Sequence, residues 1–184
     1  MKLKFIFLLS LTLLFLACSE QTKKTTYVNP FIGTGAHGHT FPGATTPSGM
    51  VQLSPDTRVG NWDACSGYHY SDSGILGFSH THLSGTGSID LGDLLIRPTL
   101  RSLSSIIADG KITTTSFNHA AELATPGYYK VLLDKESITC ELTATRRTGI
   151  HRYSFPHGAR SYIIMDLSHE LYNETAELQI QSIT

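Results

Sequence analysis

From Gly127 onward the chain alternates apolar and polar residues with period two. Ile138, Cys140, Leu142 and Ala144 fall on one side of an extended segment, and Thr139, Glu141, Thr143 and Thr145 on the other. Tyr129, Val131 and Leu133 form an earlier strand after the Pro126-Gly127 turn signal, and Arg152 to Phe155 another, closed by Pro156-His157-Gly158. Ser161 to Leu167 is nearly all apolar and reads as a central strand. Leu178 and Ile180 alternate with Gln179 and Gln181 in a last one. Met50 to Leu53, Ile75 to Phe78 and Leu94 to Arg97 are strands separated by long Gly-, His-, Thr- and Ser-rich segments. The one helical hint is Asn118 to Ala124, with Asn118 as a cap. Short, regularly spaced strands with turn signals between them predict an all-β fold, an antiparallel β-sandwich with long loops.

The 184 residues suffice for one sizeable domain. Lys+Arg 14 against Asp+Glu 15 leaves no basic excess to attract nucleic acid. Twelve of the 16 glycines lie between Gly33 and Gly92, so the first half is the loop-rich half, where functional loops sit.

Lys2 and Lys4 followed by the apolar run Phe5 to Ala17 read as a secretory leader, too short to span a bilayer comfortably. The run ends Phe15-Leu16-Ala17-Cys18, which is similar to a bacterial lipobox. That predicts residues 1–18 as a lipoprotein signal, Cys18 as the lipidated first residue of the mature chain, 19–26 as a polar tether and 27–184 as the domain. The expected location is the periplasm or the cell surface, with a lipid anchor in the membrane; an ordinary signal peptide is the alternative. Cys65 and Cys140 could pair outside the cytoplasm, but buried, free cysteines are the favoured expectation.

Five of the nine histidines fall between positions 37 and 82: His37, His39, His69, His80 and His82. With Asp63, Asp72, Asp90 and Asp93 interspersed, a hydrolytic zinc site is one reading. No recognised zinc spacing is present, and an exposed polar surface or histidines bonded to loop backbone are the favoured readings. His80 and His82, two apart, are expected on one side of a strand. Ser84 to Ser88 lacks the lysine of a phosphate loop. Trp62, the sole tryptophan, sits between Asn61 and Asp63. It is either a core residue or a pocket wall against which the C–H face of a sugar packs while Asp63 takes hydroxyls.

Tyr27-Val28-Asn29-Pro30-Phe31-Ile32-Gly33-Thr34 is similar to the opening of glycoside hydrolase family 92. The resemblance continues through Gly38-His39-Thr40-Phe41-Pro42-Gly43-Ala44, Gly49 to Asp56, Ser66 to Tyr70, Gly77 to Gly85, Pro126 to Tyr129, Glu141 to Thr145 and His151 to Pro156. It covers essentially everything after the tether; Ser48 departs from it, standing where Phe is expected.

The resemblance implies the N-terminal β-sandwich of a two-domain, exo-acting, inverting α-mannosidase of α-1,2 type, acting on mannose-containing N-glycans. Its second domain is a helical barrel that carries the catalytic carboxylates and most ligands of a required calcium. No catalytic residue and no metal site is then expected in this chain, which would be a truncated product or a fragment, inactive by itself. The residues carried over to the sugar pocket are Trp62 as its wall and Gly43 for close backbone approach, with Asp63, His80 and His82 on the rim. A stand-alone sugar-binding lipoprotein module and a self-contained His-rich metal hydrolase are the competing functions.

Overall fold

A computed structural model describes residues 23–109 and 113–172. Ten strands form two five-stranded antiparallel sheets, with strand orders β1-β2-β4-β5-β10 and β3-β6-β7-β8-β9. The first contains β1 (Ala44–Thr45), β2 (Gln52–Asp56), β4 (Gly77–Ser79), β5 (Leu95–Thr99) and β10 (Tyr162–Asp166). The second contains β3 (Gly74–Ile75), β6 (Thr115–Thr125), β7 (Tyr128–Leu133), β8 (Ile138–Ala144) and β9 (Gly149–Ser154). This is the sandwich that the alternation predicts.

The inner face of the second sheet is the one read from period two. Tyr129, Val131 and Leu133 of β7 and Ile138, Cys140 and Leu142 of β8 are all buried, in register across the pair Val131↔Cys140. They meet Ala44, Leu53 and Phe78 of the opposing sheet in one core. Removing these side chains from water is the main source of stability. Cys65 and Cys140 are buried and unpaired.

Three expectations are corrected. Asn118 to Ala124 is not helical but lies within β6. Pairing with β7 passes from Phe117↔Leu133 to Glu122↔Val131, so β6 carries extra residues in a bulge. Asn118 Oδ1 does accept an amide hydrogen bond two residues on, from Ala120, but it shapes the bulge rather than a cap. Helix α1 (Leu103–Asp109) lies elsewhere, where only Ile106 is buried and no apolar period announces it; Ser102 Oγ accepts from the Ser105 amide at its start. Finally, Ser161 to Leu167 is not central. Among the described residues β10 pairs only with β5, at the sheet's end, and Ile163, Met165 and Leu167 are exposed.

Of the tether, residues 23–26 are described; Lys24–Tyr27 form an exposed 3-10 turn. The leader, Cys18 and the expected strand at Leu178 and Ile180 lie outside the described residues.

Candidate functional site

Three loops come together around Trp62. The first runs from Gly33 to Thr40 and folds on itself through Gly38 N–H to Gly35 O and Thr40 N–H to Gly33 O, both 3.2 Å. A Cβ on Gly38 would stand 2.1 Å from Gly33 O, so only glycine fits between His37 and His39. The second loop is the 3-10 turn Trp62–Ala64. Asn61 caps it by accepting from the Asp63 amide, and Ala64 is the residue it buries. The indole is left 52% exposed. The third runs through Gly85 and Gly87. Trp62 Nε1 donates to Gly87 O at 2.9 Å, and the Gly85 amide donates to His39 O at 2.6 Å.

The result is an indole flanked by two imidazoles. His39 meets it edge-on with ring centroids 4.3 Å apart, and His37 lies at 5.4 Å. Asp63 does not stand free beside the indole: its Oδ1 is 2.5 Å from His37 Nδ1. His39 adopts a left-handed backbone (φ 56°), is buried, and its Nε2 has no partner among the described residues. Its carbonyl accepts from Ser66 Oγ as well as from Gly85. Polar atoms without partners are rare in protein interiors.

Trp62 and Asp63 are thus brought together; Gly43, His80 and His82 are not part of this cluster. A Cβ on Gly43 would lie 2.2 Å from Leu53 O and 2.4 Å from Ser54 Cβ, so its bareness makes room for β2. His80 and His82 follow β4 instead of lying on it, and they take different partners. His80 Nδ1 bonds Leu94 O at 3.0 Å and its Nε2 lies 3.2 Å from His151 Nε2. Tyr153 OH is 2.7 Å from His151 Nδ1. Burial, helped by the charge on His80, lowers the His151 pKa to about 4.

His82 is buried with both ring nitrogens used. Nδ1 is 2.6 Å from Gln52 O and Nε2 is 2.7 Å from Asp56 Oδ1. Ser79 Oγ also lies 3.0 Å from Nε2. His169 Nε2 holds the other Asp56 oxygen at 2.8 Å. Burial would raise the Asp56 pKa, but the charge of His82 and the hydrogen bonds of both histidines outweigh it and hold the carboxyl well below the usual range. Burial likewise opposes charge on His169, and Asp56 overcomes it, so its pKa is raised.

Sequence reasoning did not single out Asp56, His151, His169 or Glu122. Glu122, brought inward by the β6 bulge, accepts from Tyr129 OH at 2.6 Å and Tyr68 OH at 3.0 Å and pairs with His119 Nδ1 at 2.6 Å. Nor did it single out His37 as part of the Trp62 site; the Gly between His37 and His39 was the available signal.

Calcium takes six to eight oxygen ligands. Among the described residues no three His, Cys, Asp or Glu side chains are grouped to hold a metal ion. Asp63 is engaged by His37, Asp72 by Arg58 and Asp93 by Thr81, and Asp90 accepts from the adjacent Leu91 amide. The described residues do not fit a calcium centre.

The two-sheet antiparallel sandwich thus leaves one indole half-exposed among Gly- and His-rich loops. The chain belongs to glycoside hydrolase family 92: residues 27–184 match the Glycosyl hydrolase family 92 N-terminal domain. It is similar to a family GH92 α-mannosidase from Bacteroides thetaiotaomicron, solved in complex with mannoimidazole, with 40% identity and a TM-score of 0.72 over 80% of this chain and 20% of that one. A family GH92 inverting mannosidase from Bacteroides thetaiotaomicron VPI-5482 matches at 30% identity and TM-score 0.66, over 80% of this chain and 20% of its own. An uncharacterized secreted glycosidase of Arthroderma benhamiae is 30% identical over 158 residues, 77% of this chain and 19% of that protein. The chain therefore spans about a fifth of the length of these relatives.

Proposed function

We propose that this chain supplies the sandwich wall of the sugar site in an exported, exo-acting, inverting α-mannosidase of α-1,2 preference, with mannose-containing N-glycans as substrates. One observation carries the reading. The sole tryptophan is exposed, and held fixed by Gly87 O and the His39 ring, on the loop face of a family 92 sandwich. An indole so placed packs against the apolar C–H face of a pyranose while polar groups around it take hydroxyls.

Inversion needs a general acid on the leaving oxygen and a general base across the ring, about 6.5–9.5 Å apart. The carboxylate beside Trp62 is Asp63, and it is committed to His37. The resemblance to family 92 implies that the acid, the base and the calcium belong to a second, helical domain, and in this reading the chain positions sugar without cleaving it. Export rests on the leader and on the secreted relative, and anchoring on lipidation of Cys18.

The test is a graft. Residues 27–184 replace the sandwich of the 40% identical Bacteroides enzyme, and mannose release from an α-1,2-linked mannobiose is measured with calcium. The graft is expected to release mannose and the 184-residue chain to release none. A graft that melts cooperatively but stays inactive, or turnover by the chain alone, overturns the reading.

A further inference from the structure

The carboxylate nearest the indole is not offered to a ligand; the imidazole it holds is. Asp63 Oδ1 lies 2.5 Å from His37 Nδ1, and a carboxylate only accepts, so the proton of the neutral ring resides on Nδ1. That leaves the Nε2 lone pair of His37 as the free polar atom. The His37 side chain is 71% exposed, against 39% for Asp63, and its ring lies 5.4 Å from that of Trp62. The loop cannot easily turn the ring elsewhere, because Gly38 is packed against Gly33 O and His39 is anchored through its carbonyl by Ser66 and Gly85. The His39 ring also meets the indole, and its buried Nε2 is without a partner among the described residues. A half-exposed apolar surface therefore has an oriented, exposed acceptor beside it.

This is the arrangement a polyol ring requires, and it rests on the reading of Trp62 as a sugar platform. We infer that His37 Nε2 reads one hydroxyl of the bound pyranose and that Asp63 is its positioning residue, fixing the tautomer that leaves Nε2 free to accept. Asp63 touches no sugar itself.

The test uses the 184-residue chain with methyl α-mannoside and its monodeoxy derivatives as probes, read by emission of the sole tryptophan. His37→Ala and Asp63→Ala are each expected to weaken binding about tenfold, as for one lost hydrogen bond. The double variant should bind no more weakly than His37→Ala, because the two residues act as one unit. One monodeoxy probe should bind wild type about tenfold more weakly than the parent, with that penalty gone in His37→Ala. Nitrogen-15 correlation spectra of the imidazole should show the Nδ1–H tautomer of His37 in wild type and its loss in Asp63→Ala.

For binding, Trp62→Leu separates the two levels of argument by light-scattering-free calorimetric titration. No heat from wild type, or equal heat from wild type and Trp62→Leu, removes the platform reading and this inference with it. Binding that Trp62→Leu abolishes but His37→Ala leaves unchanged overturns the inference alone, as do additive losses in the double variant.

Discussion

Replacing Asp56 by Asn changes the shape of the core by almost nothing and its electrostatics by a full charge. The carboxylate is wholly buried and accepts from His82 at 2.7 Å and His169 at 2.8 Å. The amide can accept through one oxygen only, and its NH2 faces the N–H of the other histidine. A buried histidine then loses its carboxylate partner, and His82 Nδ1 remains held by Gln52 O. Breaking a buried pair by removing one partner costs about 3–5 kcal/mol. For a chain of this size each kcal/mol moves the midpoint by roughly 2–4 °C, so a fall of about 6–20 °C is expected. The assay is calorimetric or circular-dichroism melting, repeated from acid to mild alkali. In wild type the depressed Asp56 pKa contributes stability that is present above the unfolded value of 3.8 and is lost as pH falls toward the folded value. The raised His169 pKa contributes stability that is complete below the unfolded 6.5 and is lost as pH rises through its higher folded value. Asp56→Asn should lose both contributions. A midpoint shift under about 2 °C near neutral pH, where the full buried-pair cost applies, would refute the reasoning.

Other outcomes follow from the same geometry. The His151 pKa, lowered to about 4, means the unfolded chain binds the extra proton first, so wild type loses stability as pH falls from about 6.5 to 4; His151→Gln should flatten that slope in pH-dependent melts. Gly67 has φ +83°, and a Cβ there would stand 2.2 Å from Asp56 Oδ1; Gly67→Ala should cost at least about 1–3 kcal/mol from backbone strain alone, read in urea unfolding. Trp62→Ala should leave the melting midpoint within the scatter of a surface change, about 0.5 kcal/mol, whereas a core tryptophan would cost about 3–5.

What the sequence made legible was what short-range periodicity controls. β7 and β8 are adjacent in the chain, and their inward residues repeat every second position, so Tyr129 to Leu133 and Ile138 to Leu142 declare their burial without knowledge of the partner sheet. β10 misled because an apolar run records hydrophobicity and not neighbours. Its partner β5 lies more than sixty residues earlier, and Met165↔Ile96 is a pairing that no local pattern encodes.

The histidines divide by the same principle. Their residue type announced polar chemistry, but their roles depend on atoms far away in sequence. Asp56 meets His169 across 113 positions and His80 meets His151 across 71, separations that no local pattern encodes. His37 and Trp62, only twenty-five residues apart, were joined by a feature the sequence did display: the glycine at 38, whose missing side chain lets the loop close on Gly33 O. The candidate residues that share a site are those whose loops are tied to one another by backbone hydrogen bonds, Gly85 N–H to His39 O above all. His82 and Gly43 are packed instead against β2, whose own backbone and carboxylate take up the space and the protons a ligand would need. A spacing rule applied to side chains alone cannot make that division. It is made by whether the strand beneath each residue has already satisfied it.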